Sequence, residues 1–193
     1  MKAYTDSTTP KEDKDEQATP FWFYRRVQQV MGIVFDVDVC ATEENKKAFV
    51  YWGVMDNCLS MPRWRSVDRN YFWMNPPYSM LEDFTATAHE RSRREGIIIV
   101  GLVPDMPSSK WYQKYIHNQC PTVWQPDGRI SFELYGLQRA SNPLPSCLPV
   151  WTPWRSDTSY VYFPRNKPTS ASPTRTRRSR HASADKETGQ TTG

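Results

Sequence analysis

Tyr71-Phe72-Trp73-Met74-Asn75-Pro76-Pro77-Tyr78 is the stretch from which the fold reads outward. Apolar and aromatic residues lead into two consecutive prolines. Proline has no N–H to give to a ladder, so the strand predicted over Tyr71–Met74 must stop at Asn75. Ser79-Met80-Leu81-Glu82 then has the spacing of a capping box. It predicts a helix over about Leu81–Arg94, ended by Gly96. Ile97–Val103 is a continuous apolar run broken only by Gly101, the pattern of a central strand buried on both faces.

Upstream, Thr19 suits an N-cap and Pro20 a first helical position. Phe21, Tyr24, Val27, Val30 and Met31 recur at helical spacing, and Gly32 falls just past the helix end. Ile33–Val39 alternates, with Ile33, Phe35, Val37 and Val39 expected on one face and Asp36 and Asp38 on the other. Downstream, a helix is expected over Lys110–Asn118. Asp127-Gly128 signals a turn before a strand at Arg129–Glu133, and Leu148–Trp151 and Ser159–Phe163 are weaker late strands. Strands alternating with helices give an α/β fold with helices on both faces of its sheet. Ligands of such sheets bind beyond the C-terminal strand ends, where Asp38 and Asn75 are both expected.

The chain has 193 residues, with 8 Trp, 10 Tyr and 8 Phe, enough apolar mass for one core. Its mean hydropathy of -0.75 is low, and the ends account for it. Residues 1–18 carry three Lys against five acids and one aromatic, Tyr4; residues 164–193 have no aromatic, Leu, Ile or Val. Both segments are expected to be disordered, leaving one domain over 19–163. The C-terminal tail holds seven Lys and Arg against two acids, which suits a polyanionic partner or a solvated tail. Cys40, Cys58, Cys120 and Cys147 form no C-x-x-C pair, so no metal site is expected. With no signal peptide and no long apolar run, a soluble cytoplasmic protein with reduced thiols and no membrane partner is expected.

Asn-Pro-Pro-Tyr carries a specific chemistry. An aromatic amine such as adenine N6 is a poor nucleophile because its lone pair is delocalised into the ring. Two acceptors on its hydrogens draw that pair back onto nitrogen. Asn75 can supply a side-chain oxygen and Pro76 a backbone carbonyl, held in place by its fixed φ and by Pro77 behind it. Tyr78 offers a π face on which a base can stack. Methyl transfer to such an amine needs positioning and electrostatics more than a strong base. The alternative is an ordinary turn after a strand.

At these residues the chain resembles the phage-type DNA N-6-adenine methyltransferases, the phage Dam-like family. The resemblance runs over about Thr19–Trp151. It covers Thr19-Pro20, then Phe35-Asp36-Val37-Asp38-Val39-Cys40-Ala41 with Asn45, then Asp56, Leu59 and Trp64. Trp73–Ser79, Leu102-Val103-Pro104-Asp105 with Ser108 and Trp111, Gly128–Phe132 and Pro145-Ser146 complete it, in the family's order. Two prolines depart from it: Pro107 stands where the family loop has a polar residue, and Pro149 suggests an edge strand or a break.

The resemblance implies a Rossmann-like S-adenosylmethionine-dependent methyltransferase sheet. It also implies S-adenosylmethionine as methyl donor, double-stranded DNA as partner, a target base flipped into the Asn-Pro-Pro-Tyr pocket, and a phage or prophage origin. Asn75, Pro76, Pro77 and Tyr78 are the expected catalytic residues; Thr19, Pro20, Asp38, Cys40, Ala41 and Asp56 the expected cofactor residues. Asp38 could equally cap a turn, Asp56 could be a solvated loop acid, and Thr19-Pro20 could only start a helix. No G-x-G loop follows Val39, which argues against protein-glutamine methyltransferases. Arg129, Ser108 and Lys110 are the expected DNA contacts, with a surface salt bridge the alternative for Arg129. Recognition is expected from the loops at Met80–Asp83, Met106–Trp111 and Leu134–Pro145. The tryptophans Trp52, Trp64, Trp73, Trp111 and Trp124 are assigned to the core, and His89, His117 and His181 to the surface. An RNA adenine methyltransferase, or an inactive nucleic-acid-binding protein of the same fold, are the rival functions.

Overall fold

The computed structural model describes residues 17–134, 137–138 and 144–165; most of both charged tails and part of the 134–145 loop lie outside the described residues. Its elements are α1 (Phe21–Met31), β1 (Val37–Asp38), β2 (Val50–Tyr51), β3 (Tyr71–Met74), α2 (Leu81–Glu95), β4 (Ile98–Gly101), β5 (Val103–Pro104), α3 (Lys110–Tyr115), β6 (Thr122–Pro126), β7 (Glu133–Leu134), β8 (Leu137–Gln138), β9 (Ser146–Trp151) and β10 (Ser159–Phe163). The main sheet has the order β10-β6-β9-β4-β3-β1-β2, with β5 also paired to β9. Only β9 runs antiparallel to its neighbours. The architecture is α/β with a Rossmann-like sheet, as expected.

Alternation along β3 divides the core in two. Phe72 and Met74 pack with Phe84 and Ala88 of α2 and Tyr112 of α3, while Trp73 packs with Phe23, Tyr24 and Val27 of α1. Helices therefore cover both faces. Burying side chains of this size stabilises by about 1.5–3 kcal/mol each. At Gly101 the chain needs the absence of a side chain: a Cβ there would lie 2.8 Å from the Trp151 ring and 3.3 Å from Met74. Gly96 ends α2 in the left-handed region (φ 68°), its N–H returned to Ser92 O.

Several expected elements differ. The strand expected over Ile33–Val39 is confined to Val37–Asp38. Phe35 donates its N–H to Gln28 Oε1 at 3.0 Å and joins the α1 layer, whereas Val37 and Val39 face α2. The chain bends at Asp36, whose carboxylate accepts from the Asn70 and Tyr71 N–H groups at 2.8 and 2.9 Å. Pro20, not Thr19, is the N-cap of α1. The capping box expected at Ser79–Glu82 is replaced by a 3-10 turn, Tyr78–Met80, and α2 starts without a side-chain cap. Glu82 and Asp83 favour its N-terminus by charge instead. Helix α3 is shorter than expected, ending at Tyr115.

Residues 129–132 are irregular, and Glu133–Leu134 forms a ladder with Leu137–Gln138 outside the main sheet. The strands β2 and β6 have no counterpart in the sequence reading. Pro149 lies inside the sheet, not at an edge: β9 sits between β4 and β6. Ladder pairs are formed at Val100↔Val150 and again at Val103↔Cys147 in the same register. The proline nitrogen thus falls where the ladder skips, and the strand is unbroken.

Candidate active site

Strand β1 is followed in sequence by β2 on one side and then by β3 on the other. The strand order reverses there, so the β1 and β3 ends part and leave a crevice. A cavity of about 370 Å³ occupies it, within the range of small-molecule sites. Its walls come from the end of β1 and the segment after it (Asp38, Cys40, Ala41), the segment after β2 (Trp52, Gly53), the segment after β3 (Asn75, Pro77) and the N-terminal segment Gln17, Ala18 and Thr19.

The N-terminal segment is held by a bridge. Ala18 and Glu133 exchange backbone hydrogen bonds of 2.8 and 2.9 Å. Gln17 and Ala18, assigned from composition to the tail, are thereby bonded into the body. The Gln17 carbonyl in turn accepts from Asn75 Nδ2 at 2.9 Å. A carbonyl can only accept, so the amide group facing it must be the NH2. That orients Asn75 with Oδ1 as its remaining acceptor. Thr19 is 2% exposed and its hydroxyl has no hydrogen-bond partner. Such a group costs free energy unless something in the cavity completes it.

Asp38 is 3% exposed. Its carboxylate accepts from Cys40 N at 3.4 Å and Lys47 N at 3.0 Å. Burial outweighs those bonds and pushes its pKa up to about 6. Asp38 thus braces the turn after β1, as one of its two expected roles requires, and it also lines the cavity. Burial also raises the Cys40 and Cys58 thiols, which keeps them neutral rather than nucleophilic. Among the described residues no cysteine is in a disulfide, no group of His, Cys, Asp and Glu is arranged to hold a metal, and no helix is long and apolar enough to cross a membrane.

The expected site residues divide into two sets. Thr19, Asp38, Cys40, Ala41, Asn75 and Pro77 line the one cavity. Pro20 starts α1 next to Thr19, and Pro76 is buried between Asn75 and Pro77. Tyr78 begins the 3-10 turn beyond them. Asp56 is exposed and accepts from the Gly53 N–H at 2.7 Å, bracing the loop that forms the lip. Ser108, Lys110 and Arg129 are exposed and away from the cavity lining. They follow β5 and β6, whose C-terminal ends share a rim with β3; Gln125 Nε2 donates to Asp105 there at 3.1 Å.

Several wall residues were given no site role by the sequence reading, Gln17, Lys47 and Trp52 among them. Gln17 acts through its backbone, which no side-chain pattern reports. Lys47 lies in a loop. Trp52 was assigned to the core; it is half-buried, lies 5.7 Å from the Trp64 ring and 5.9 Å from Phe72, and presents an aromatic wall to the cavity. Trp64 and Trp73 are core residues as expected. His89 is half-buried rather than on the surface, bonded to Gln119 at 3.0 Å.

The fit to S-adenosylmethionine can be judged from these groups. A sulfonium nucleoside with an amino-acid tail needs an aromatic or apolar wall, acceptors for its amine and ribose hydroxyls, and room. Trp52 and Phe84, Asp38 and Thr19 supply groups of those kinds around one cavity. The residues present fit the cofactor.

The family model for DNA N-6-adenine-methyltransferase (Dam) matches residues 6–186. The DNA N-6-adenine-methyltransferase of Haemophilus phage HP1 (strain HP1c1) is 33% identical over 151 residues, 77% of this chain and 85% of that protein. The DNA N-6-adenine-methyltransferase of Escherichia phage T1 is 28% identical over 123 residues, 64% of this chain and 50% of that protein. A match of that extent, over a sheet whose switch-point cavity ends on Asn75-Pro76-Pro77-Tyr78, means that the chain belongs to the DNA N-6-adenine-methyltransferase family.

Proposed function

We propose that the chain transfers a methyl group from S-adenosylmethionine to the exocyclic N6 of adenine in double-stranded DNA, at a site built around Asn75. The observation that carries this reading is the orientation of the Asn75 amide: its NH2 is bonded to Gln17 O, which leaves Oδ1 to accept. An acceptor fixed in advance is what a weak amine nucleophile requires.

In this mechanism Asn75 Oδ1 and the Pro76 carbonyl each accept one N6 hydrogen, and the nitrogen lone pair is released from conjugation. Pro77 restricts Pro76, so the carbonyl is not free to turn away. Tyr78 stacks on the base, offsetting its unstacking at roughly 1–3 kcal/mol, because the base must leave the duplex to reach the site. Asp38 and Thr19 hold the amino-acid and nucleoside parts of the cofactor, and the walls keep water from the reacting centre. When bound, the cofactor supplies an electrophilic methyl group on a sulfonium. Ser108, Lys110 and Arg129 contact the DNA backbone or base edges from the neighbouring rim. The basic tail adds sequence-independent, salt-dependent affinity.

The test is transfer of tritiated methyl from S-adenosylmethionine to matched DNA and RNA oligonucleotides, with long-read sequencing of DNA from cells expressing the chain. N6-methyladenine in DNA at a defined sequence context is the expected product. Transfer to RNA alone, or nucleic-acid binding without transfer, would overturn the reading in favour of one of the rival functions.

A further inference from the structure

The cavity wall contains one cationic side chain, Lys47, and one carboxylate, Asp38. The two residues meet: the Lys47 N–H donates to Asp38 Oδ2 at 3.0 Å. The Lys47 side chain is half-buried. The charges acting on its ammonium are the carboxylates of Glu133, on β7, and of Asp38; burial is the larger effect and lowers its pKa. A lysine that loses water at a cavity wall, as the one cation in a lining whose other side chains except Asp38 are uncharged, is placed to meet an anion in that cavity. The Glu133 backbone also bridges to Ala18, so the elements that place the Lys47 charge are those that place Thr19 and Asn75.

We infer that Lys47 is the anion-binding residue of this cavity and takes the α-carboxylate at the amino-acid end of the methyl donor. The inference rests on the proposed function and deepens it by naming how the donor's tail is read. That tail is a zwitterion, with an ammonium and a carboxylate on adjacent atoms. Adjacent Asp38 and Lys47 offer one opposite charge to each. Lys47 thereby discriminates donors with an intact amino-acid tail from nucleosides without one. Its loop joins β1 to β2, and β2 lies on the far side of β1 from β3.

Isothermal titration of the full chain tests this with three ligands: S-adenosylhomocysteine, its decarboxylated analogue and 5′-methylthioadenosine. For the unmutated protein, removing the carboxylate should weaken binding at least tenfold, about 1.4 kcal/mol. Lys47→Met should weaken S-adenosylhomocysteine by a similar factor and leave 5′-methylthioadenosine and the decarboxylated analogue within about twofold, while Lys47→Arg should retain most of the affinity. Equal binding of the carboxylated and decarboxylated ligands by the unmutated protein would overturn the inference even if Lys47→Met failed to fold. So would a folded Lys47→Met that weakens all three ligands alike, or none. Failure of the unmutated protein to bind any of the three would instead sink the proposed function.

Discussion

The two sides of the C-terminal rim are built differently. On the β1–β3 side, Thr19, Asp38 and Asn75 are buried or half-buried, and the backbone of neighbouring segments fixes Asp38 and Asn75. On the β5–β6 side, Ser108, Lys110 and Arg129 are exposed. A buried polar group must have its geometry set before a ligand arrives, because an unmet bond there is costly. An exposed charge can move to meet a phosphate and gains little from any one position. Under the proposed function, the first side would serve as the reacting centre and the second as a surface that tracks the DNA backbone.

The largest effect should follow from Asn75→Ala. Loss of the preoriented acceptor should lower the rate of methyl transfer by about 10²–10³-fold, with S-adenosylhomocysteine affinity unchanged in titration. A fall in affinity that matches the fall in rate would erase the distinction between orienting the base and binding the cofactor. Next, Ala18→Pro removes the N–H that donates to Glu133 O and frees the segment whose carbonyl holds Asn75. Turnover should fall by about tenfold, the cost of roughly one hydrogen bond, and by more than cofactor affinity falls.

Acid should break the buried side alone. Asp38 titrates at about 6, above its ordinary value, because burial disfavours its charge. As pH falls through 6 the carboxylate takes up a proton and its attraction for the donor's ammonium is lost. Cofactor affinity should weaken by up to about tenfold per pH unit, and Asp38→Asn should abolish that dependence. The stability of the free protein should move in the opposite sense. The penalty of a buried charge, present above pH 6, is relieved as pH falls from 6 towards the ordinary aspartate value. The smallest effect belongs to the exposed side. Lys110→Ala should weaken DNA binding only a few-fold, across all sequences, and reduce the salt dependence by about one counterion. A change in sequence preference would mark Lys110 as a base-reading residue instead.

What was legible in the sequence follows the same division. Tyr71–Met74 and Ser159–Phe163 were readable as strands with their observed bounds: the first is closed by prolines and the second by a β-branched and aromatic pattern. Asp38 and Asn75 were readable as rim residues because strand ends carry ligands in such sheets. Thr122–Pro126 was missed, although Thr122, Val123 and Trp124 favour strands; a five-residue strand between a proline and a turn has little periodicity to show. Ile33–Phe35 was misplaced because alternation does not reveal a bend, and the bend at Asp36 comes from bonds to residues more than thirty positions away. In sequence, Pro149 points to an edge or a break because local rules do not see that a neighbouring strand can skip a rung. Gln17 was invisible for a deeper reason: its contribution is a backbone carbonyl, which any residue provides.

The central claim is that the Asn75 amide is held with its oxygen ready for a base amine. A crystal structure of the full chain with S-adenosylhomocysteine and an adenine-containing DNA duplex tests it most directly. The account predicts an extruded adenine with N6 within about 3.2 Å of Asn75 Oδ1, while Nδ2 stays on the Gln17 carbonyl. An adenine bound in the site with its amine away from Asn75, or an Asn75 amide released from Gln17 and turned out of the cavity, would contradict it.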